Sequence, residues 1–263
     1  MKKFFYGVFN LAIKCNQDQV FERANGLTFR VLLAFFPFIL FLMSLVGFLE
    51  LDEAAVQSGL YIIFPSEVST LVSNFLFELN TTRSTGLLSA ALFFSVYNTV
   101  NGFWAIIRSI NISYEVEEHR NVFYIIMLSF LLMILFSFAL IIMAVLLVFG
   151  QQVLGLIFPY GTDFGFSVLS SVLAFVLLVF VTSYIYKLAN AKKIPLWQVL
   201  PGGVFTVFLW VIVSAVFGFF TQNFTQLGAI YGSIAGVFIL VLWLNFVSII
   251  LLIGNEINAF LFS

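Results

Sequence analysis

The chain has almost none of the residues that build metal centres, disulfides or catalytic triads. Its 263 residues include a single cysteine, Cys15, and a single histidine, His119. One cysteine excludes a disulfide within the chain and any cluster of cysteine ligands. His119 lies in the charged run 115–120, which is typical of a solvated loop rather than of a ligand or a triad base. We therefore expect no metal and no enzymatic activity.

Charge is also scarce. Charged residues make up 9% of the chain, against about 25% in soluble domains. The net charge is -1 and the basic residues are dispersed, which excludes a nucleic-acid-binding surface. No glycine-rich phosphate loop of the Walker type is present. We expect no cofactor and no nucleic-acid partner.

What the sequence does contain is long apolar segments. The chain is 62% hydrophobic and includes 36 phenylalanines. Six segments are long enough to cross a bilayer of about 30 Å at about 1.5 Å per residue. We predict an all-α, polytopic membrane protein that forms a single membrane domain over 1–263, with transmembrane helices at about 27–49, 86–107, 122–149, 164–186, 197–220 and 229–255.

Two other segments are amphipathic rather than spanning. Residues 1–25 place Lys2 and Lys3 before a Phe-rich run, which predicts an interfacial helix lying on the membrane. A signal peptide is the alternative, but no small-residue cleavage site follows the run. Residues 67–79 have apolar side chains at helical spacing, which predicts an amphipathic external helix. A packed lid without chemistry is the favoured interpretation of this helix.

The basic residues predict the orientation. With a cytoplasmic N-terminus, ten of the eleven lysines and arginines fall on one side, and only Arg83 falls on the other. This asymmetry follows the rule that positive charge stays inside. We expect both termini in the cytoplasm of a bacterium, a location in the inner membrane, and segment 50–85 outside.

Polar residues inside the predicted spans are the candidates for a transport pathway. On the second span they share one helical face, which is costly to turn towards lipid. Asparagines of this kind also serve as helix–helix contacts, and arginines near span ends also snorkel to the interface. The candidates are Arg30, Asn98, Asn101, Arg108, Asn111, Asn245 and Glu256.

Glu256 lies at the end of the last span and is the only acid of the apolar stretch 228–263. An unpaired carboxylate inside a membrane is costly, and a guanidinium partner offsets that cost. Arg30 and Arg108 are predicted at a similar depth. We hypothesise that Glu256 pairs with one of them and closes the cytoplasmic side of a central cavity.

Proline and glycine mark the predicted structural positions. Pro37 lies in the middle of the first span and predicts a kink, and Pro201 and Gly202 predict a break at the start of the fifth. Glycines recur every four residues at the start of the last span, which predicts close packing of two helix backbones. These glycines are Gly228, Gly232 and Gly236.

Several short motifs together resemble the YihY/BrkB family, and they extend over nearly the whole chain. They are Arg23-Ala24, Leu32-Leu33-Ala34-Phe35-Phe36-Pro37, Ile107-Arg108-Ser109-Ile110-Asn111, Leu200-Pro201-Gly202 and Gly254-Asn255-Glu256-Ile257-Asn258-Ala259. The last motif is the most specific, although Asn255 stands where the family usually has a small alanine. The resemblance implies a six-helix bacterial inner-membrane protein without an established activity. It also implies that the older family label, ribonuclease BN, is a misassignment.

Two functions remain open at this point. The first is a transporter or permease for a small solute or ion, with a pathway lined by the first, second and sixth spans. The second is a scaffold that maintains the envelope without transport. A water-filled cavity that reaches Glu256 would favour transport, whereas a dry, filled interior would favour the scaffold. The expected partners are the lipid bilayer, an unidentified small solute or ion, and a second copy of the chain in a homo-oligomer.

Overall fold

The computed structural model describes residues 2–48, 58, 68–74, 85–157, 163–223 and 233–262. In these residues the regular structure is helical, without strands, so the all-α prediction is confirmed. The helices that can be delimited are α1 (Lys2–Gln17), α2 (Val20–Phe48), α3 (residues 68–74), α4 (Thr85–Ser113), α5 (Val122–Ile157), α6 (Asp163–Ala189), α7 (Leu196–Asn223) and α8 (Ser233–Phe262).

Several of these helices are able to cross a membrane. Five contain stretches that are long and apolar enough, namely Val20–Leu42, Val122–Val148, Gly165–Ala189, Leu196–Phe220 and Gly236–Phe262. The predicted second span, 86–107, lies within the 29-residue helix α4, which is not among these five. The count of six spans therefore remains a prediction.

Two helices extend beyond the predicted spans, both at the same end of the bundle. Helix α2 begins at Val20, before the predicted residue 27, and α8 continues to Phe262, beyond the predicted residue 255. Charged side chains made these segments resemble membrane boundaries. Each helix continues because its polar side chains, described below, are bound by neighbouring helices.

Proline does not end either of the helices that contain it. Helix α2 runs through Pro37, and α7 runs through Pro201. The predicted break at Pro201 and Gly202 is therefore wrong, and a side chain from α8 takes over hydrogen bonds there. Of the glycine stripe, Gly228 and Gly232 lie outside the described residues.

The helices pack into one bundle. Helix α2 packs against α4 and α8, α5 against α4 and α6, and α7 against α6 and α8. Helix α1 contacts α2 and α8. The start of α2 and the ends of α4 and α8 thus meet at one end of the bundle, together with α1.

Helix α3 lies within the predicted amphipathic segment 67–79, and it packs into the protein. Val68 and Val72 are fully buried, in a cluster with Ile39 of α2 and Leu240 of α8. A Cβ added to Gly236 would come 3.1 Å from Leu71 Cδ1, so this glycine makes room for α3. These contacts agree with the interpretation of this segment as a packed lid.

The outer surface of the bundle is strongly apolar. On α5, for example, large apolar side chains are exposed over successive turns, including Phe123, Met127, Phe130 and Leu131. A soluble monomer rarely exposes a continuous apolar surface of this kind. The surface is suited to contact with lipid chains.

Candidate functional site

Glu256 lies in the last two turns of α8 and has no exposed surface. Burial of a carboxylate is costly unless cations and hydrogen-bond donors compensate for the lost water. Glu256 Oε1 accepts a hydrogen bond from Arg23 Nη2 of α2 at 2.5 Å. Lys14 Nζ of α1 lies 3.9 Å from Glu256 Oε2. One buried carboxylate therefore connects α8 to both α1 and α2.

The two cations also bind the end of α4. Arg23 Nη1 donates to the carbonyl oxygen of Ser109 at 3.0 Å and to Ser113 Oγ at 3.4 Å. Lys14 Nζ donates to the carbonyl oxygen of Ser113 at 3.3 Å and pairs with Asp18 at 3.2 Å. Cations are favourable at a helix C-terminus because the last carbonyl groups lack partners in the helix. We name this group the Glu256 network: Lys14, Asp18, Arg23, Ser109, Ser113 and Glu256.

The Glu256 network is buried but its hydrogen bonding is incomplete. Within the described part of the chain, no hydrogen-bond partner is found for three buried atoms of the network, Asp18 Oδ2, Arg23 Nε and Glu256 Oε2, nor for Asn255 Oδ1 and Tyr114 Oη next to it. A buried polar atom without a partner costs about 1–3 kcal/mol. A buried atom of this kind is able to bind a proton, a water molecule or an ion. Among the same described residues, no group of three or more His, Cys, Asp or Glu side chains could hold a metal.

The hypothesis that Glu256 pairs with Arg30 or Arg108 is wrong. Glu256 does pair with a guanidinium, but it is that of Arg23. Both Arg30 and Arg108 are exposed, and neither takes part in an ion pair between described residues. Arg23 and Arg30 are two helical turns apart and so share a face of α2, which means that periodicity could not choose between them. The choice depends on the offset between α2 and α8, which the sequence does not contain.

Asn111, a predicted site residue, belongs to a separate polar cluster beside the loop after α4. Its Nδ2 donates to Glu118 Oε2 at 2.8 Å, and its Oδ1 accepts from the backbone nitrogen of Ala191 at 2.7 Å. Arg120 Nε and Nη2 donate to the two carboxylate oxygens of Glu118 at 2.7 and 2.5 Å. These hydrogen bonds from Arg120 hold the pKa of the Glu118 carboxyl below its usual range.

This cluster caps the C-terminal end of α6. Arg120 Nη2 also donates to the carbonyl oxygen of Ala189, the last residue of α6, at 2.8 Å. Arginine at a helix C-terminus satisfies carbonyl groups that lack a partner in the helix. Asn111 and Arg120 thus hold the loops at this end in place, which is a structural role.

Asn258 binds α8 to α7 where Pro201 disturbs the helix. Its Oδ1 accepts from the backbone nitrogen of Gly202 at 2.6 Å, and its Nδ2 donates to the carbonyl oxygen of Val199 at 3.1 Å. Proline has no N–H and crowds the preceding turn, so backbone groups near it need other partners. The buried amide of Asn258 supplies them, and the motifs at 200–202 and 254–259 are therefore in direct contact.

The same contact includes Tyr186 of α6, which is fully buried. Its hydroxyl donates to the carbonyl oxygen of Leu251 at 2.6 Å and lies 2.8 Å from Thr206 Oγ1. Gly254 lies between these groups, and a Cβ added there would come 1.9 Å from Thr206 Oγ1. Hydrogen bonds and close packing thus connect α6, α7 and α8 beside the Glu256 network.

The remaining predicted site residues make other contacts. Asn98 Nδ2 donates to a carbonyl oxygen one turn earlier in its own helix at 2.8 Å, and Asn101 is half-buried. Asn245 Nδ2 donates to Asn25 Oδ1 at 2.8 Å and to Thr28 Oγ1 at 3.2 Å, so it connects α8 to α2. Lys14 and Asp18 were not predicted as site residues, and Arg23 was considered only as one of the basic residues that set the topology and as part of a family motif.

Comparison with known proteins extends over the whole bundle. The chain is 33% identical over 245 residues to the ribonuclease-like protein YfkH of Bacillus subtilis (strain 168), and this match covers 91% of the chain and 89% of YfkH. It is 27% identical over 256 residues to a UPF0761 membrane protein of Psychrobacter sp. (strain PRwf-1), a match that covers 92% of the chain and 46% of that relative. No solved structure matches. The profile of the family described as "Virulence factor BrkB" matches residues 12–262. This range includes the whole Glu256 network and the contact between α7 and α8. The chain therefore belongs to the BrkB family of membrane proteins.

Proposed function

We propose that this protein is a permease for a small solute or ion, and that the Glu256 network is the closed gate at one end of its pathway. The observation that carries the proposal is the burial of Glu256, whose Oε2 has no hydrogen-bond partner among the described residues. Ionisable groups inside membrane domains are costly, and they commonly mark ion or substrate pathways.

The arrangement of the charges is better suited to a gate that can open than to a permanent structural contact between helices. A buried ion pair adds little to stability compared with apolar residues of similar volume. The Glu256 network nevertheless combines Lys14, Arg23 and Glu256 from three helices with a fourth charged side chain, that of Asp18, from the joint between α1 and α2. The contacts of such a network weaken when the charge of one member changes, whereas apolar packing does not respond to charge.

We further propose that the gate faces the cytoplasm. The support is the predicted location of ten of the eleven lysines and arginines on that side. Reporters fused after residue 263 and within 81–84 are expected on opposite sides, cytoplasmic and external respectively. A cytoplasmic reporter at 81–84 would contradict this orientation.

A scaffold without transport is the second candidate. It is favoured by the fastening of α7 to α8, where Asn258 binds Gly202 at 2.6 Å. Neither candidate assigns hydrolytic chemistry to the chain. In particular, we do not extend the ribonuclease-like name of the Bacillus relative to it, because one histidine and dispersed acids do not suit a metal-dependent nuclease.

The test is a flux screen in proteoliposomes with a panel of ions and small metabolites. We expect at least one solute to cross only when the protein is present, and to cross at a different rate in Glu256→Gln. Glu22→Gln is the matched control, because Glu22 is an exposed acid of α2. If folded protein moves no solute, or if both variants change flux equally, the gate is contradicted and the scaffold is favoured.

A further inference from the structure

Helix α1 lies against the Glu256 network, and side chains hold it there. Lys14 reaches Ser113 of α4 at 3.3 Å and approaches Glu256 Oε2 at 3.9 Å. Cys15 is buried in a small apolar cluster with Val20 and Leu252. Docking of α1 thus combines one cation aimed at the carboxylate with a modest apolar contact.

The joint between α1 and α2 is short. The two helices are separated only by Asp18 and Gln19. Gln19 has a φ of 50°, in the left-handed region that is unfavourable for a residue with a side chain. A residue in this region typically costs about 1–3 kcal/mol and persists only when surrounding contacts maintain it. The docked position of α1 is therefore maintained by its contacts with the bundle, which are those of Lys14 and Cys15.

The charges of the Glu256 network are balanced as long as Glu256 is ionised. Lys14 and Arg23 then face Asp18 and Glu256. A proton on Glu256 Oε2 would remove one negative charge and leave Arg23 and Lys14 near a neutral carboxyl. Lys14 would lose its attraction to α8, and two like charges would be left close together in a poorly solvated place.

We propose that Glu256 is a proton-binding site and that its protonation releases α1 from the end of the bundle. A proton from water adds to Oε2 to form an O–H bond, while Arg23 and Lys14 keep their own protons. This inference rests on the proposed function and deepens it, since it names the proton as the ion that opens the gate. Oε2, which accepts no hydrogen bond among the described residues and lies 3.9 Å from Lys14 Nζ, is the position for that proton.

Other titratable groups face Glu256 from α1 and from the residue that follows α4. Burial raises the pKa of the Cys15 thiol to about 11, and burial followed by the charge of Glu256 raises the pKa of the Tyr114 hydroxyl above its usual range, so both stay protonated in acid and at neutral pH. Helix α7 carries no ionisable side chain. Among the described residues, the charged and titratable groups around Glu256 are Lys14 and Cys15 of α1, Asp18 of the joint after it, Arg23 of α2, and Tyr114 after α4.

The test is amide hydrogen exchange of α1 in the full-length protein in detergent or nanodiscs, at ~pH 7.5 and ~pH 5. Rates are expressed as protection factors, which remove the intrinsic pH dependence of exchange. In the native protein we expect protection of α1 to fall by ~10-fold or more on acidification, while that of α7 stays constant. In Glu256→Gln we expect α1 to be weakly protected at both pH values.

Further variants make the result specific. Lys14→Met should release α1 at neutral pH while leaving the contact between Arg23 and Glu256 in place, which keeps the proposal testable if Glu256→Gln does not fold. Glu22→Gln, which changes an exposed acid outside the Glu256 network, should keep the pH response of α1. Equal protection of α1 at both pH values in the native protein, or a pH response that survives in Glu256→Gln, would overturn the inference.

The outcome is separable from that of the flux screen. Hydrogen exchange reports the docking of α1 whether or not a solute is moved. A pH response of α1 without flux of any solute would leave the proton site standing and reject the permease. Flux that depends on Glu256, without a pH response of α1, would support the permease and reject the proton site.

Discussion

Gly202→Ala is expected to prevent α7 and α8 from packing, with a loss of at least about 3 kcal/mol in the free energy of unfolding. A Cβ at this position would lie 2.0 Å from the carbonyl oxygen of Gly254 and 2.4 Å from Asn258 Nδ2. The carbonyl oxygen belongs to a helix backbone and cannot rotate away. The two helices would have to separate, which would break the hydrogen bonds of Asn258 to Gly202 and Val199.

The matched control for this substitution lies in the same helix. A Cβ added to Gly218 of α7 would meet no atom within 4 Å. Alanine favours a helix over glycine by about 1 kcal/mol, so Gly218→Ala should be neutral or slightly stabilising. Thermal unfolding in detergent compares both variants with the native protein. Equal stability of Gly202→Ala and Gly218→Ala would show that α7 and α8 do not approach this closely.

Arg23→Met is expected to lower the free energy of unfolding by about 3–5 kcal/mol, the usual cost of removing one partner of a buried ion pair. The side chain of Arg23 is 12% exposed and that of Glu256 is fully buried, so water cannot replace the lost guanidinium. The carbonyl group of Ser109 would also lose a donor. The loss should be smaller in acid, because a protonated Glu256 no longer needs a counter-charge.

Arg108→Met is the appropriate comparison, since Arg108 is an exposed arginine near the same end of the bundle. Substitution of an exposed side chain without an ion pair should change stability by less than about 0.5 kcal/mol. A loss for Arg108→Met as large as that for Arg23→Met would contradict the pairing of Glu256 described above.

The class of the protein could be predicted from the sequence because it depends on length and composition alone. Apolar segments such as 122–149 and 164–186 are long enough to be helices in a membrane whatever surrounds them. The helices found there are Val122–Ile157 and Asp163–Ala189. The helix ends were less predictable, because Arg23 was assigned to the interfacial segment 1–25 and Glu256 to the end of the last span, whereas they lie inside α2 and α8.

The sequence was sufficient to predict that an acid in the last helix pairs with a guanidinium, but not which residues are in contact. An acid in the last span requires a cation nearby, which correctly selected Glu256 and a guanidinium. The identity of the guanidinium depends on how far α2 is shifted along α8, and no local pattern encodes that shift. Lys14 was missed for a related reason, since it comes from a helix predicted to lie on the membrane surface. The role of Asn258 depends in the same way on the approach of α7, which glycine at 202 and 254 permits.

A double-mutant cycle on Arg23 and Glu256 tests the central claim most directly. The variants Arg23→Met, Glu256→Gln and the combination of both are compared with the native protein by equilibrium unfolding in mixed detergent micelles. Because the two side chains form a direct ion pair at 2.5 Å, we expect the double variant to recover part of the loss, with a coupling energy of about 1.5–3 kcal/mol. The parallel cycle on Arg108 and Glu256 should give a coupling energy near zero. Coupling to Arg108 with none to Arg23 would contradict the Glu256 network and every conclusion drawn from it.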